Sequence, residues 1–113
     1  MRIFVMSCIA AAAVAGIAHP SPAVAKTCAL PKYPGSGYFT ALSVSHTSCA
    51  TARKLALAFY RCRLEHGKAG RCSRHVLGFA CSERRQSIPT EIDATVRCRK
   101  GAARVVHSYQ QNL

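Results

Sequence analysis

Two pairs of soft ligands stand out in the chain, Cys62-x3-His66 and Cys72-x2-His75, with two thiolates and two imidazoles at spacings that could close a tetrahedral zinc site. The same cysteines have a second chemistry. In an oxidising compartment they would join across a short glycine-containing segment and leave His66 and His75 as surface side chains. The N-terminus bears on the choice: Arg2 precedes an apolar run from Ile3 to Ala18, and Ala23-Val24-Ala25 fits a signal-peptidase site, which predicts export with cleavage before Lys26. His19, Pro20 and Pro22 interrupt the run before it reaches the roughly 20 apolar residues of a membrane span. Cys8 comes too early in the apolar run for lipid attachment, and Cys28 follows Lys26 and Thr27, residues a lipoprotein signal does not normally tolerate there. Cys28, Cys49, Cys62, Cys72, Cys81 and Cys98 remain after cleavage, an even number in an exported chain, which reads as three disulfides rather than a metal site. Paired sulfurs also leave no thiolate for nucleophilic catalysis.

A further set of residue types suits phosphodiester cleavage: Glu83 or Glu91 as base, Arg84, Arg85 or Arg97 as phosphate clamp, and His107 as acid. Together with the basic balance and a helix laid on a sheet, this resembles in a general way the small secreted microbial ribonucleases, and the resemblance implies an RNA hydrolase. None of that family's motifs is matched. The competing reading makes Glu83 and Glu91 solvated strand-end charges, His107 an ordinary strand residue and Ser48 a helix cap. No G-x-S-x-G, phosphate loop or dinucleotide fingerprint occurs, and no cofactor or metal is expected.

Charge gives the alternative to catalysis. The 16 Lys and Arg less Arg2, against Glu65, Glu83, Glu91 and Asp93, leave the mature chain a formal +11. Such a field favours anionic partners outside the cell: wall polymers, lipid headgroups, or nucleic acid held without sequence preference. The basic residues form two sequence clusters, Arg61, Arg63, Lys68, Arg71 and Arg74 at the end of the predicted helix, and Arg97, Arg99, Lys100 and Arg104 at the last hairpin. Converged, they would bind phosphate or carboxylate groups. A merely solvated, solubilising face competes with this reading. Tyr60 and Tyr109 are the candidate exposed stacking groups, whereas Phe39, Phe59 and Phe79 read as core.

The positioning elements follow from patterning. Removing residues 1–25 leaves 88 of the 113, enough for one domain whose modest core covalent staples would support. Residues 26–36 read as an irregular arm pinned by Cys28 and contributing little core; residues 37–113 read as the domain. Tyr38 to Val44 predicts a strand with Tyr38, Leu42 and Val44 on one face. Ser48 predicts the cap of a helix from Cys49 to about His66, ended by Gly67, with Ala52, Leu55, Ala56, Phe59 and Cys62 as its buried stripe and Arg53, Lys54, Arg61 and Arg63 off it. Val76 to Glu83, Glu91 to Arg99 and Arg104 to Gln110 predict a three-strand meander. Leu77, Phe79 and Cys81 should share one face, as should Ile92, Ala94, Val96 and Cys98, with turns at Gln86 to Pro89 and Lys100 to Ala102. Six cysteines allow 15 connectivities. Cys62–Cys72 is the favoured closure; Cys81 and Cys98 lie nearly opposite, yet Cys49–Cys98 with Cys28–Cys81 would clamp helix and arm to the sheet.

The runs Gly37-Tyr38-Phe39-Thr40, Thr47-Ser48-Cys49-Ala50-Thr51-Ala52-Arg53, Val76-Leu77-Gly78-Phe79 with Cys81, and Val96-Arg97-Cys98-Arg99-Lys100-Gly101 resemble a group of small secreted bacterial proteins, mostly actinobacterial. The similarity spans roughly residues 37 to 110. It implies export and a helix-on-sheet fold, and carries no catalytic or binding residue to transfer; Cys62 and Cys72 are an addition found in some members. The expectation is an α+β domain, β-α-β-β-β, one helix packed on a small antiparallel sheet, disulfide-stabilised, monomeric, and secreted or wall-associated. Its expected function is non-catalytic binding of anionic polymers, with a ribonuclease-like hydrolase, or an inhibitor or toxin, as the alternative.

Overall fold

Ser48 starts the helix as its residue type requires. Its backbone is extended (φ −91°, ψ 155°), and its hydroxyl accepts from the Thr51 N–H at 3.1 Å, satisfying one orphan donor of the first turn. From there α1 (Cys49–Leu64) runs to Gly67, whose N–H donates to the Leu64 carbonyl at 3.0 Å and whose positive φ of 89° turns the following chain away from the helix. Ala52, Leu55, Ala56, Phe59 and Cys62 are all buried, the stripe their spacing predicts. Arg63 departs from expectation. Placed off the stripe by the sequence, it is only 1% exposed.

The computed structural model describes residues 25–113, so the export signal read from residues 1–25 lies, Ala25 apart, outside the described residues. Around α1 the chain forms β1 (Lys26–Thr27), β2 (Gly37–Ser45), β3 (Ala80–Ile88), β4 (Glu91–Lys100) and β5 (Ala103–Asn112). All neighbours are antiparallel in the order β1-β2-β5-β4-β3, giving an α+β domain in which the β3-β4-β5 meander is completed by β2. One face of this sheet is buried in the core with the helix stripe. Leu42 and Val44, then Ile92, Ala94, Val96 and Cys98, then Val105, His107 and Tyr109 supply it. The opposite face is open.

Several local expectations change for identifiable reasons. A register shift between Phe39 and Ala41 inserts a bulge in β2, so Phe39 joins Leu42 and Val44 inside while Tyr38, expected there, is 59% exposed. Val76 to Phe79 is no strand. Its end residues exchange hydrogen bonds of 3.0 and 2.8 Å around Leu77 (φ 50°) and Gly78 (φ 79°), a tight turn that buries Val76 and Phe79 and exposes Leu77. The meander turns are shorter than expected, at 89–90 and 101–102, because β3 stays paired through Ile88. The arm is not idle either: Lys26 and Thr27 pair with Val44 and Ser43, and Cys28 and Tyr33 enter the core.

Three disulfides close the fold: Cys28–Cys49, Cys62–Cys72 and Cys81–Cys98. The second is the favoured pairing; Cys49–Cys98 and Cys28–Cys81 are not formed. Register explains this, since Cys81 and Cys98 are directly opposed with Cα atoms 4.0 Å apart, and β1 carries Cys28 to the start of α1, 5.4 Å from Cys49. Three such bonds fit a chain that matures in an oxidising compartment. Among the described residues no helix is long and apolar enough to cross a membrane. Non-reducing peptide mapping should recover these three pairs, and replacing Cys28 and Cys49 together by Ala should lower the guanidinium-unfolding free energy by about 3 kcal/mol, the loop-closure term for a bridge of this span.

Candidate functional site

The sequence-predicted site residues divide between the two faces of the sheet. On the covered face, the Arg63 guanidinium donates to the Tyr33 hydroxyl at 3.0 Å and to Gln111 Oε1 at 2.9 Å, and lies 4.1 Å from the centre of the Tyr109 ring. Gln111 in turn donates to the Lys68 carbonyl at 2.7 Å. Tyr109 donates its hydroxyl proton to Glu83, which also pairs with Arg85 at 2.7 Å, and Arg85 reaches the carbonyls of Ala69 and Gly70 at 2.8 and 2.9 Å. Burial, and then the bond to Glu83, push the Tyr109 hydroxyl pKa upward, and burial does the same to Tyr33. Both therefore stay neutral donors. Gly70 fits because a Cβ there would come within 2.2 Å of the Arg63 carbonyl.

This cluster separates the groups that RNA hydrolysis would need. His107 is 1% exposed, edge-on to Phe39 and Phe59, and neither ring nitrogen has a partner among the described residues. Desolvation, with the Arg63 charge second, lowers its pKa to about 4. A neutral imidazole sealed in the core has no proton to give at pH 7 and no substrate to give it to. Glu83 is tied to Tyr109 and Arg85, and it pairs across to Val96, which pairs to His107, leaving a whole strand between them. Glu91, Arg84 and Arg97 lie on the opposite face. The arrangement expected of a ribonuclease is thus not assembled.

The first basic cluster does not converge. Arg63 is buried; Arg71 pairs with Glu83 at 3.4 Å and Arg74 with Glu65 at 2.6 Å. That hydrogen bond from Arg74 lowers the Glu65 pKa and raises that of Arg74. Arg61 and Lys68 remain exposed on the helix and the following loop. The zinc alternative fails on its sulfurs, because Cys62 and Cys72 are bonded to each other. Among the described residues no group of three metal-ligating side chains occurs.

The second cluster does converge, with one exchange. Strand alternation and register put Arg99 and Arg104 directly opposite each other on the open face, Arg97 two residues from Arg99, and Arg84 on the diagonal from Arg97. Lys100 falls on the other face, its ammonium 5.8 Å from the Phe79 ring centre, and Arg84 takes its place. None of these four arginines has a carboxylate within ion-pair distance; the three ion pairs of the described residues use Arg71, Arg74 and Arg85. Arg104 is braced by the carbonyls of Gly101 and Ala103 at 2.6 and 2.9 Å. Between the side chains lie two open recesses of about 360 and 570 Å³, both lined by Ser82 and Arg97.

The rest of the open face is neutral and then acidic. Ala41, Ser108 and Thr95 lie in the row of Arg84, with the Ser108 and Thr95 hydroxyls 3.0 Å apart; Tyr38, Gln110, Asp93 and Gln86 form the next row, and Glu91 lies beyond, hydrogen-bonded to Gln110 at 2.6 Å. Of the two tyrosines expected to be exposed, Tyr109 is buried and Tyr60 is half-buried, edge-on to Tyr33. Among the described residues the exposed aromatic is Tyr38. Only the bulge turns it outward, a displacement that simple alternation does not announce. No protein-family model, curated protein or solved structure matches the chain.

His107 makes stability pH-dependent. Its pKa falls from 6.5 to about 4 on folding, so the unfolded chain takes up the proton first. Stability from this residue is complete above about pH 6.5 and declines toward pH 4 by about 3 kcal/mol. Denaturant titrations across that range should show the decline in the wild type and a shallower one in His107→Leu. Arg63→Ala should cost about 3 kcal/mol at pH 7 by the same measurement, since it leaves the Tyr33 and Gln111 oxygens short of a donor and opens a cavity.

Proposed function

We infer that this chain is a secreted, basic, disulfide-stapled binding protein that holds anionic polymers outside the cell without catalysing a reaction on them. The observation that carries this reading is the convergence of Arg84, Arg97, Arg99 and Arg104 on one open sheet face, without carboxylate partners, whereas in the other basic cluster Arg63 is buried, Arg71 and Arg74 are paired, and Arg61 stands apart on the helix. Planar guanidinium groups on a rigid sheet suit phosphate or carboxylate oxygens, each presenting paired donors at little further ordering cost. Export with cleavage after Ala25 would bring the domain to wall polymers and to the headgroups of the outer membrane surface. Catalysis gains no support from the open face. It carries Arg but no histidine, and its two carboxylates, Glu91 and Asp93, lie at the end away from the arginines.

Binding of inorganic polyphosphate, measured by calorimetry on the oxidised mature protein, should weaken steeply with salt. Four neutralised charges give a slope of about −3 in log K against log salt. Arg97→Ala with Arg99→Ala should flatten the slope by about 1.5 and leave the fold unchanged. Binding indifferent to salt, or to those two substitutions, would refute the reading.

A further inference from the structure

The open face is charge-segregated, and this restricts what can lie along it. Arg99, Arg104 and Arg97 occupy its two rows nearest the 101–102 turn, Arg84 with Thr95 and Ser108 the middle row, and Tyr38 with Gln110, Asp93 and Glu91 the far end. A uniformly anionic chain laid along the strands would meet Asp93 and Glu91 there and be repelled. A ligand with an acidic group at one end and neutral hydroxyl-bearing rings at the other would not. Carboxylates and amides exchange hydrogen bonds with sugar hydroxyls, and an exposed tyrosine offers an apolar ring face with a wet polar tip.

Two independent observations mark this end as a contact surface. Tyr38 is 59% exposed on a strand whose alternation would bury it, and it is brought out by a bulge, the device by which strands re-aim side chains next to binding sites. Gln110, directly opposite Tyr38, is 8% exposed with an amide oxygen that has no partner. From the Tyr38 row to the Arg97 row is two side-chain steps, about 14 Å along the strands. That span accommodates more than one sugar ring between the aromatic and the guanidinium groups.

We propose that the open face binds an anionic glycan, its carboxylate or phosphate held by Arg84, Arg97 and Arg99 and its neutral sugar rings laid over Thr95 and Ser108 against Tyr38. The proposal rests on the anion-binding reading above and narrows its ligand class. Nucleic acid fits this surface less well, because stacking of successive bases needs successive aromatics and here there is one, beside two carboxylates.

The test compares two probes on the oxidised protein: a hyaluronan oligosaccharide, which alternates carboxylate-bearing and neutral sugars, and inorganic polyphosphate, which carries charge throughout. Tyr38→Ala, at an exposed position with the fold checked by circular dichroism, should weaken hyaluronan binding about tenfold and leave polyphosphate binding within about twofold, the loss of one ring contact. Asp93→Asn should strengthen polyphosphate binding and not hyaluronan binding. If polyphosphate binds and hyaluronan does not, or if Tyr38→Ala changes neither, the glycan assignment is overturned while anion binding stands. If single-stranded DNA binds more tightly than hyaluronan and loses that affinity in Tyr38→Ala, nucleic acid replaces the glycan. Failure of both original probes to bind would remove the anion-binding reading as well.

Discussion

A guanidinium enclosed by aromatic rings holds this small domain in register. Arg63 reaches from the helix to the arm through Tyr33, to the last strand through Gln111 and the face of Tyr109, and from Tyr109 the chain of contacts continues through Glu83 and Arg85 to the loop carbonyls at 69 and 70. Burying a charge is costly unless its donors and its field are met. Here two oxygens accept from one guanidinium nitrogen and the Tyr109 ring faces the charge, while Nε and the other Nη have no hydrogen-bond partner among the described residues. The groups that meet the charge come from segments far apart in sequence, and the helix docks where they coincide. The same field adds to the desolvation that keeps His107 neutral beneath the helix.

That network also decides where charge is left over. Glu83 is shared between Arg85 and Arg71, and Glu65 pairs with Arg74, so the arginines of the helix end are partly held in internal contacts, while Arg61 and Lys68 stay exposed. The open side of the sheet has no such internal claim on its arginines. Alternation turns every second residue of β3, β4 and β5 outward, and three strands bring Arg84, Arg97, Arg99 and Arg104 together although they are up to 20 positions apart. An arginine-rich face arises as the complement of a structural one, and the two share strands but no side chains.

Much of the architecture could be read directly, and the exceptions have local causes. Ser48, Gly67 and the stripe from Ala52 to Cys62 obey short-range rules of capping and helical period, which is why the helix was legible to within a turn. The inner residues of β4 follow simple alternation over an uninterrupted strand. Tyr38 did not, because a bulge depends on how two strands meet rather than on either one. Leu77 did not, because its positive φ belongs to a two-residue turn hidden inside an apolar run. Arg63 misled through its charge: four residues after Phe59 and seven after Ala56, it lies within the arc of the buried stripe, and its burial depends on Tyr33, Tyr109 and Gln111 arriving from elsewhere.

By itself the sequence determined the composition of this protein, an even set of cysteines suited to pairing, the helix and strands of its described residues, and its excess of positive charge, since each follows from residue type and spacing along a few turns of chain. Only the tertiary structure decided which sulfurs join, which arginines face water and which carboxylates restrain them. Those outcomes depend on strand register and on the meeting of distant segments, and a displacement of one residue in register would carry every side chain of a strand to the opposite face.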